Sequence, residues 1–285
     1  MRVLVIGARG MLGRDLVEEW TDDELIGAAS SEADIRDFDQ VQRLIKDSRP
    51  DWVILLAAYT DVDGCEKNPE QAFAVNGEGT RNVAKAAEKQ GAKLFYISTD
   101  YVFDGTATQP IEANYPIAPL NVYGKSKAAG ESAVAAEHTA WCIARTSWLF
   151  GRSGPSFPEK ILRASETRSE LSVVADQIGS PTFTRELARA IQALVHKDVR
   201  GIVHVTNTGS CSWFEFAKEI LRQAGRNSIR VRPITSAESG RLAKRPAYSV
   251  LSPERLNAKG VVLGSWQDAT AAYLKELQTL GKLNA

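Results

Sequence analysis

The feature of this sequence that most constrains its fold is a regular alternation of short apolar runs and amphipathic segments in its first half. The apolar runs include "VLVIG" (3–7), "WVILLAA" (52–58) and "KLFYIS" (93–98), and apolar residues at helical spacing lie between them, the longest such stretch running from Pro69 to about Gln90. Unalternating apolar runs are typical of strands buried on both faces of a parallel sheet. The chain is therefore predicted to be α/β, with a Rossmann-like doubly wound parallel sheet and helices on both of its faces.

After Trp148 the alternation loosens, and "LFGRSGPSFP" (149–158) has the Gly, Ser and Pro content of a connector. This change predicts a second, smaller mixed α/β domain that binds substrate. The predicted ranges are 1–147 for the dinucleotide-binding domain, with 171–206 and 264–285 returning to it, and 148–170 and 207–263 for the substrate domain.

Charge and cysteine content exclude several classes of function. The 285 residues carry 35 basic and 35 acidic side chains, so the zero net charge gives no reason to expect a nucleic acid or a membrane surface as partner. No apolar run approaches the ~20 residues of a membrane span. The three cysteines lie far apart, and the three histidines have no metal-ligand spacing, so neither a disulfide framework nor a metal site is predicted. With no signal-peptide pattern at Met1, a reducing cytoplasm is expected; the choice between monomer and homodimer, and any part for Mg²⁺, stay open.

Three glycines follow the first strand in "GARGMLG", at Gly7, Gly10 and Gly13. A turn without Cβ atoms lets a dinucleotide pyrophosphate approach the positive N-terminal end of the next helix, and the third glycine allows close packing of helix on strand. The position of the triplet between a strand and an amphipathic helix favours this function over a tight loop. The glycines, with Met11 and Leu12 between them, are the candidate pyrophosphate ligands.

The end of the second predicted strand indicates which cofactor is bound. NAD-preferring sites usually place an acid there, about 20 residues past the glycines, to hold the ribose hydroxyls. This sequence has Ser30 instead, while Arg9 and Arg36 can supply positive charge for a 2′-phosphate. NADPH is therefore favoured, and NADH stays open because the two arginines also suit a solvated surface.

The segment "NVYGKSK" (121–127) places Tyr123 and Lys127 four residues apart on one face of a predicted helix. A neighbouring ammonium group should lower the pKa of the phenol, which can then give a proton to a carbonyl oxygen as hydride arrives on its carbon. Thr99 and Asp100 follow the fourth strand at the sheet edge where open α/β sheets bind their ligands, so a hydroxyl there can contact the same oxygen. Taken alone, each of these patterns also suits an exposed helix face or a turn.

Together, "GARGMLG", "NGEGTRNVAKAA", "STDYVFDG" and "YGKSK" resemble, in order and spacing, the extended short-chain dehydrogenase/reductase family. Later segments such as "ARTSWLFG", "DQIGSPT" and "KRPAYSVLS" narrow the resemblance to family members that reduce a nucleotide-linked 4-keto-6-deoxyhexose. It covers nearly the whole chain. The function implied is the NADPH-dependent reduction of the C4 ketone of a dTDP-linked 4-dehydro-6-deoxy-L-mannose.

The resemblance also implies roles for matching residues. Tyr123 would be the proton donor, Lys127 its activator and a ribose ligand, and Thr99 the hydroxyl that orients the carbonyl, while Asp100 and Trp148 would line the sugar site. Further cofactor contacts are implied at Asp34, Ile35, Ala58, Tyr59 and Thr60. Arg245 is a candidate for the nucleotide part of the substrate, although Arg163 and Lys244 offer the same charge. Trp20, Trp141 and Trp213 are instead predicted to pack in the core.

Two alternatives belong to other functional classes. The first is an NAD-retaining nucleotide-sugar epimerase or dehydratase; "STDYV" argues against a dehydratase, since that group typically follows its threonine with an acidic pair. The second is a non-catalytic regulatory subunit that binds NADP. The complete set of Tyr123, Lys127 and Thr99 counts against it.

Overall fold

The computed structural model describes residues 1–283. Within them the strands are β1 (Arg2–Ile6), β2 (Glu24–Ala28), β3 (Trp52–Leu55), β4 (Lys93–Thr99), β5 (Trp141–Thr146), β6 (Leu149–Phe150), β7 (Glu170–Val174), β8 (Ile178–Gly179), β9 (Thr182–Phe183), β10 (Gly201–His204), β11 (Cys211–Ser212) and β12 (Arg230–Ile234). The helices are α1 (Met11–Glu19), α2 (Phe38–Ser48), α3 (Val62–Lys67), α4 (Pro69–Phe73), α5 (Thr80–Gln90), α6 (Val122–Glu137), α7 (Phe157–Ala164), α8 (Thr184–His196), α9 (Trp213–Gln223), α10 (Glu254–Asn257) and α11 (Trp266–Thr279), with a π-helical segment at Ala74–Gly79 and a 3₁₀ turn at Asp100–Val102.

A six-stranded parallel sheet forms the centre of the described chain, in the order β10-β5-β4-β3-β1-β2. The chain runs outward from β1 to β2, returns across β1 to β3, and continues outward through β4 and β5 to β10. The reversal between β1 and β3 is the switch point at which sheets of this kind bind ligands beyond the carboxyl ends of their strands. The predicted doubly wound parallel sheet is confirmed.

Strand β1 shows why its sequence has no polar alternation. Val3 and Val5 pack on one face of the sheet with α1 and α8, whereas Leu4 and Ile6 pack on the other face with α2, α5 and α6. Burying each such side chain contributes about 1.5–3 kcal/mol, so both faces hold the strand in place. This packing fixes the turn after Ile6, which carries the glycine triplet.

A third core lies outside the main sheet, built around Phe150, Phe183, Phe216 and Tyr273. We call the elements around it, α7, β7, α9, β12 and α11, the small lobe. The division of the chain into domains stays a prediction, but two segments differ from their predicted places. Strand β7 pairs with β12, and α11 packs on this third core, so neither returns to the sheet. The burial of β7 alternates residue by residue, which suits a one-faced strand better than a sheet interior. Residues 284–285 of the predicted range 264–285 lie outside the described residues.

The predicted helical stretch from Pro69 to about Gln90 is helical throughout, but its middle is π-helical instead of α-helical. A π-helical turn separates α4 from α5, and at Gly79 an added Cβ would lie 2.7 Å from Cγ1 of Ile35, so only glycine permits this close approach. Asn76 in the same turn accepts a hydrogen bond from the Tyr59 amide at 2.8 Å and donates to the Tyr59 carbonyl at 3.0 Å. These two hydrogen bonds fix the loop that follows β3. Helical periodicity in the sequence does not reveal them.

Candidate active site

A cavity of about 830 Å³ opens at the carboxyl edge of the main sheet, between the sheet and the small lobe. It brings together nearly all of the residues that the sequence singles out. Those that line it are Gly7, Gly10, Met11, Leu12, Gly13, Ser30, Asp34, Ile35, Ala58, Thr60, Thr99, Asp100, Tyr123, Lys127 and Trp148.

The glycine turn forms one end of the cavity and fits a dinucleotide. Gly7 has φ +98°, and a Cβ there would lie 2.7 Å from the Ala57 amide nitrogen, while a Cβ on Gly13 would overlap the Gly7 carbonyl. Gly10 precedes α1, and no side chain caps this helix end. The first-turn amides of α1 are therefore free to donate to a phosphate, and the helix dipole favours the same negative charge.

Two arginines stand where the ribose end of a dinucleotide would reach. Arg9 donates to Glu32 at 2.9 Å, and Arg36 donates to Asp34 at 3.0 Å. The Arg36 guanidinium holds the pKa of Asp34 below its usual range. Both arginines and Ser30 line the cavity. The wall thus offers a hydroxyl and two cations, each cation beside a carboxylate.

Tyr59 differs from its predicted place. Its neighbours Ala58 and Thr60 line the cavity but Tyr59 does not, and Asn76 holds its backbone amide and carbonyl. The family resemblance therefore pointed to the loop at 58–60 but did not show which of its residues face the cavity.

Thr99, Asp100 and Tyr123 lie together in the cavity wall. The Thr99 hydroxyl donates to Asp100 at 3.0 Å. Burial raises the pKa of Tyr123, and a hydrogen bond with Thr99 acts in the opposite direction. Tyr123 is therefore a neutral phenol at pH 7, able to donate a proton, with the Thr99 hydroxyl beside it.

The expected effect of Lys127 on Tyr123 is wrong in this structure. Lys127 is only 3% exposed, and its Nζ donates to the Ile97 carbonyl at 2.7 Å. Burial lowers the pKa of Lys127 to about 7, although the carboxylate of Glu131 acts to raise it. The sequence places the two side chains on one helix face but does not show that burial dominates the pKa of each.

Glu131 extends the row of Tyr123 and Lys127 by one more turn of α6, and the sequence analysis missed it. Its carboxylate accepts from Arg145 at 2.9 and 2.7 Å and from the Ser98 hydroxyl at 2.5 Å. The three side chains join α6 to the ends of β4 and β5. This bidentate pair fixes the reactive row against Thr99, and the spacing of four residues from Lys127 was a signal that could have found it.

Trp148 lines the cavity with its backbone in the left-handed region, at φ +49°. A bulky residue seldom adopts this conformation, which costs on the order of 1–3 kcal/mol. Trp213, predicted to be a core residue, also lines the cavity because its indole stacks on Trp148.

Arg245 does not line the cavity, and its contact with the substrate stays a prediction. Its guanidinium donates to Asp63 at 3.3 and 3.0 Å and to the Ala243 carbonyl at 2.9 Å. Burial acts to raise the pKa of Asp63, but these bonds lower it to about 2. Arg245 thus forms an ion pair with Asp63. The two residues lie too far apart in the sequence for this pairing to be predicted from it.

We expect Asp100→Asn to change how stability depends on pH. Burial raises the pKa of Asp100 to about 7, although hydrogen bonds with Ser249 and Thr99 act to lower it. Because an unfolded aspartate titrates near pH 3.9, the folded state holds more protons between roughly pH 4 and 7, and the wild type loses stability as pH rises through that window.

The asparagine variant lacks this titration, so its Tm should rise relative to the wild type from pH 5 to pH 8. Over this interval the free energy of unfolding of the variant should increase relative to that of the wild type by about 2–4 kcal/mol, since one unit of pKa shift corresponds to about 1.4 kcal/mol. Thermal unfolding of both proteins at the two pH values measures it. A difference in Tm that does not change with pH would contradict the raised pKa of Asp100.

Residues 1–283 contain no group of three or more His, Cys, Asp or Glu side chains placed to hold a metal ion. In the same range no helix has the length and apolar character needed to cross a membrane. Cys65, Cys142 and Cys211 are buried and free.

Comparison with known proteins gives matches over nearly the whole chain. The model of the family described as RmlD substrate binding domain matches residues 1–279. The spore coat polysaccharide biosynthesis protein SpsK of Bacillus subtilis is 40% identical over 277 residues, covering 96% of this chain and 97% of that protein. A dTDP-4-dehydrorhamnose reductase of Streptomyces griseus is 41% identical over 278 residues, or 94% of this chain and 91% of that protein.

Solved structures give the same relationship. The dTDP-4-dehydrorhamnose reductase of Bacillus anthracis, crystallised in complex with NADP, has a TM-score of 0.94 and 42% identity, covering 96% of this chain and 99% of that one. Since the family model and these relatives all match nearly the full length, the chain belongs to the RmlD substrate binding domain family.

Proposed function

We propose that this chain is an NADPH-dependent reductase that converts the C4 ketone of dTDP-4-dehydro-6-deoxy-L-mannose to the alcohol, giving dTDP-L-rhamnose. The observation that carries the proposal is that one cavity holds both the glycine turn and the group Thr99, Tyr123 and Lys127. A dinucleotide along the first and a ketone at the second would lie side by side at the switch point of the sheet.

The residues divide the work as follows. Bound NADPH supplies a hydride for the carbonyl carbon of the sugar. The neutral phenol of Tyr123 gives its proton to the oxygen as negative charge develops there. The Thr99 hydroxyl, which donates its one proton to Asp100 in the free site, would turn to donate a hydrogen bond to the same oxygen. Lys127, one turn further along α6, would in its protonated form return a proton to the Tyr123 phenolate. Gly7, Gly10 and Gly13 leave the helix amides open to the pyrophosphate.

The cofactor and substrate are supported by relatives. The Bacillus anthracis structure is described as a complex with NADP, and that protein and the Streptomyces griseus relative are both named dTDP-4-dehydrorhamnose reductases. In this chain, Ser30, Arg9 and Arg36 around the ribose end suit the 2′-phosphate of NADPH. The substrate assigned to Asp100 and Trp148 is accordingly a nucleotide-linked sugar.

The test is the oxidation of NADPH, followed by its absorbance, with dTDP-4-dehydro-6-deoxy-L-mannose as the variable substrate. We expect consumption that depends on the sugar and saturates with it, and a parallel titration with NADH gives the cofactor preference. An epimerase or dehydratase would change the sugar without net consumption of NADPH. A regulatory subunit would bind NADPH and leave the ketone unchanged, and either outcome would overturn the proposal.

A further inference from the structure

The indole of Trp148 is held on two sides. Trp213 lies parallel to it, with ring centroids 3.5 Å apart and an interplanar angle of 7°. On another side stands Gly179, where an added Cβ would lie 2.5 Å from Cε2 and 2.7 Å from Nε1 of Trp148. The stack covers one face of the indole, so a ligand in the cavity meets only the remaining surface of Trp148.

Trp213 is itself anchored within the small lobe. Its Nε1 donates to Oε1 of Gln177 at 3.2 Å, and Nε2 of Gln177 donates to Ser236 at 2.8 Å. The ring of Phe157 packs against it with centroids 4.6 Å apart. A fixed indole of this kind can hold a neighbour in a strained backbone conformation, because the stacking offsets the strain at φ +49°.

We infer that Trp213 is a substrate-positioning residue, which fixes the Trp148 indole against Gly179 and so sets where the sugar lies relative to Tyr123 and Thr99. The inference rests on the proposed function, because it concerns the sugar of that reaction. Trp148 touches the ligand in this account, and Trp213 acts through it.

Two variants disturb the pair in different ways. Trp213→Phe replaces the stacked indole with a smaller aromatic ring in the same lobe. Gly179→Ala adds a methyl group that presses on the Trp148 indole and removes no side chain. The control is Trp266→Phe, which loses an indole from the same core at a position that does not line the cavity.

We expect both variants to raise the KM for the nucleotide sugar by about two- to tenfold, the range of one aromatic contact, without changing the KM for NADPH. The far-ultraviolet circular dichroism of the wild type should show the couplet of two stacked indoles, weakened in both variants and kept in the control. Titration of dTDP-L-rhamnose in the absence of cofactor should perturb that couplet.

The outcomes separate the two claims. A wild type that neither reduces the ketone nor binds dTDP-L-rhamnose would overturn the proposed function. A wild type that turns over normally, with unchanged KM values in both variants, would overturn only the positioning role. An equal rise in KM for Trp266→Phe would also overturn it, since a general loosening of the lobe would then explain the effect.

Discussion

Replacing Tyr123 with phenylalanine is expected to lower kcat for ketone reduction by about 10²- to 10⁴-fold, the usual contribution of a general acid. The variant keeps the ring, whose edge contacts Tyr101 at a centroid distance of 5.8 Å, so the cavity wall should stay in place. The affinity for NADPH should therefore change little. Steady-state kinetics with the sugar substrate, together with a fluorescence titration of NADPH, measure the two effects separately.

The matched control is Tyr96→Phe, which removes a buried phenol oxygen from the neighbouring strand. Tyr96 does not line the cavity, and its ring under Lys127, 4.1 Å from Nζ, is kept in the variant. We expect this control to retain wild-type kcat. If Tyr123→Phe also turned over within tenfold of the wild type, the phenol would not be the proton donor.

The second large effect is expected on stability, from Glu131→Ala. The side chains of Arg145 and Glu131 are 3% and 6% exposed, so the variant leaves the Arg145 guanidinium buried without its carboxylate partner. Breaking a buried ion pair from one side typically costs 3–5 kcal/mol, and we expect a loss of about that size in the free energy of unfolding. Urea denaturation of the wild type and the variant measures it.

A surface pair provides the control for Glu131. Arg2 and Glu24 are paired at 3.0 Å, but their side chains are 41% and 60% exposed. Glu24→Ala should cost under about 1 kcal/mol, because exposed ion pairs contribute little. Equal losses from both variants would show that Glu131 does not clamp α6 to β4 and β5.

The fold and the main residues of the site could be predicted from the sequence, because both depend on local patterns of residues. Apolar runs buried on both faces indicate the parallel sheet, and Gly7, Gly10 and Gly13 mark its first turn directly. The row of Tyr123 and Lys127 follows from helical spacing alone.

The features that the sequence did not show depend on partners far away in the chain or on burial. Arg245 pairs with Asp63, and Tyr59 is turned by Asn76 in a π-helical segment. The pKa of Tyr123 is raised because desolvation outweighs the hydrogen bond with Thr99. Trp213 packs against the third core as its spacing predicts, and only the tertiary structure shows that it also stacks on Trp148.

The most direct test of the central claim follows the hydride itself. The protein is incubated with dTDP-4-dehydro-6-deoxy-L-mannose and NADPH that carries deuterium at the transferred position, and the product is examined by nuclear magnetic resonance and mass spectrometry. The account predicts dTDP-L-rhamnose with one deuterium, located on C4 of the sugar. A sugar product without deuterium at C4, or a ketone left unreduced in the presence of bound NADPH, would contradict it.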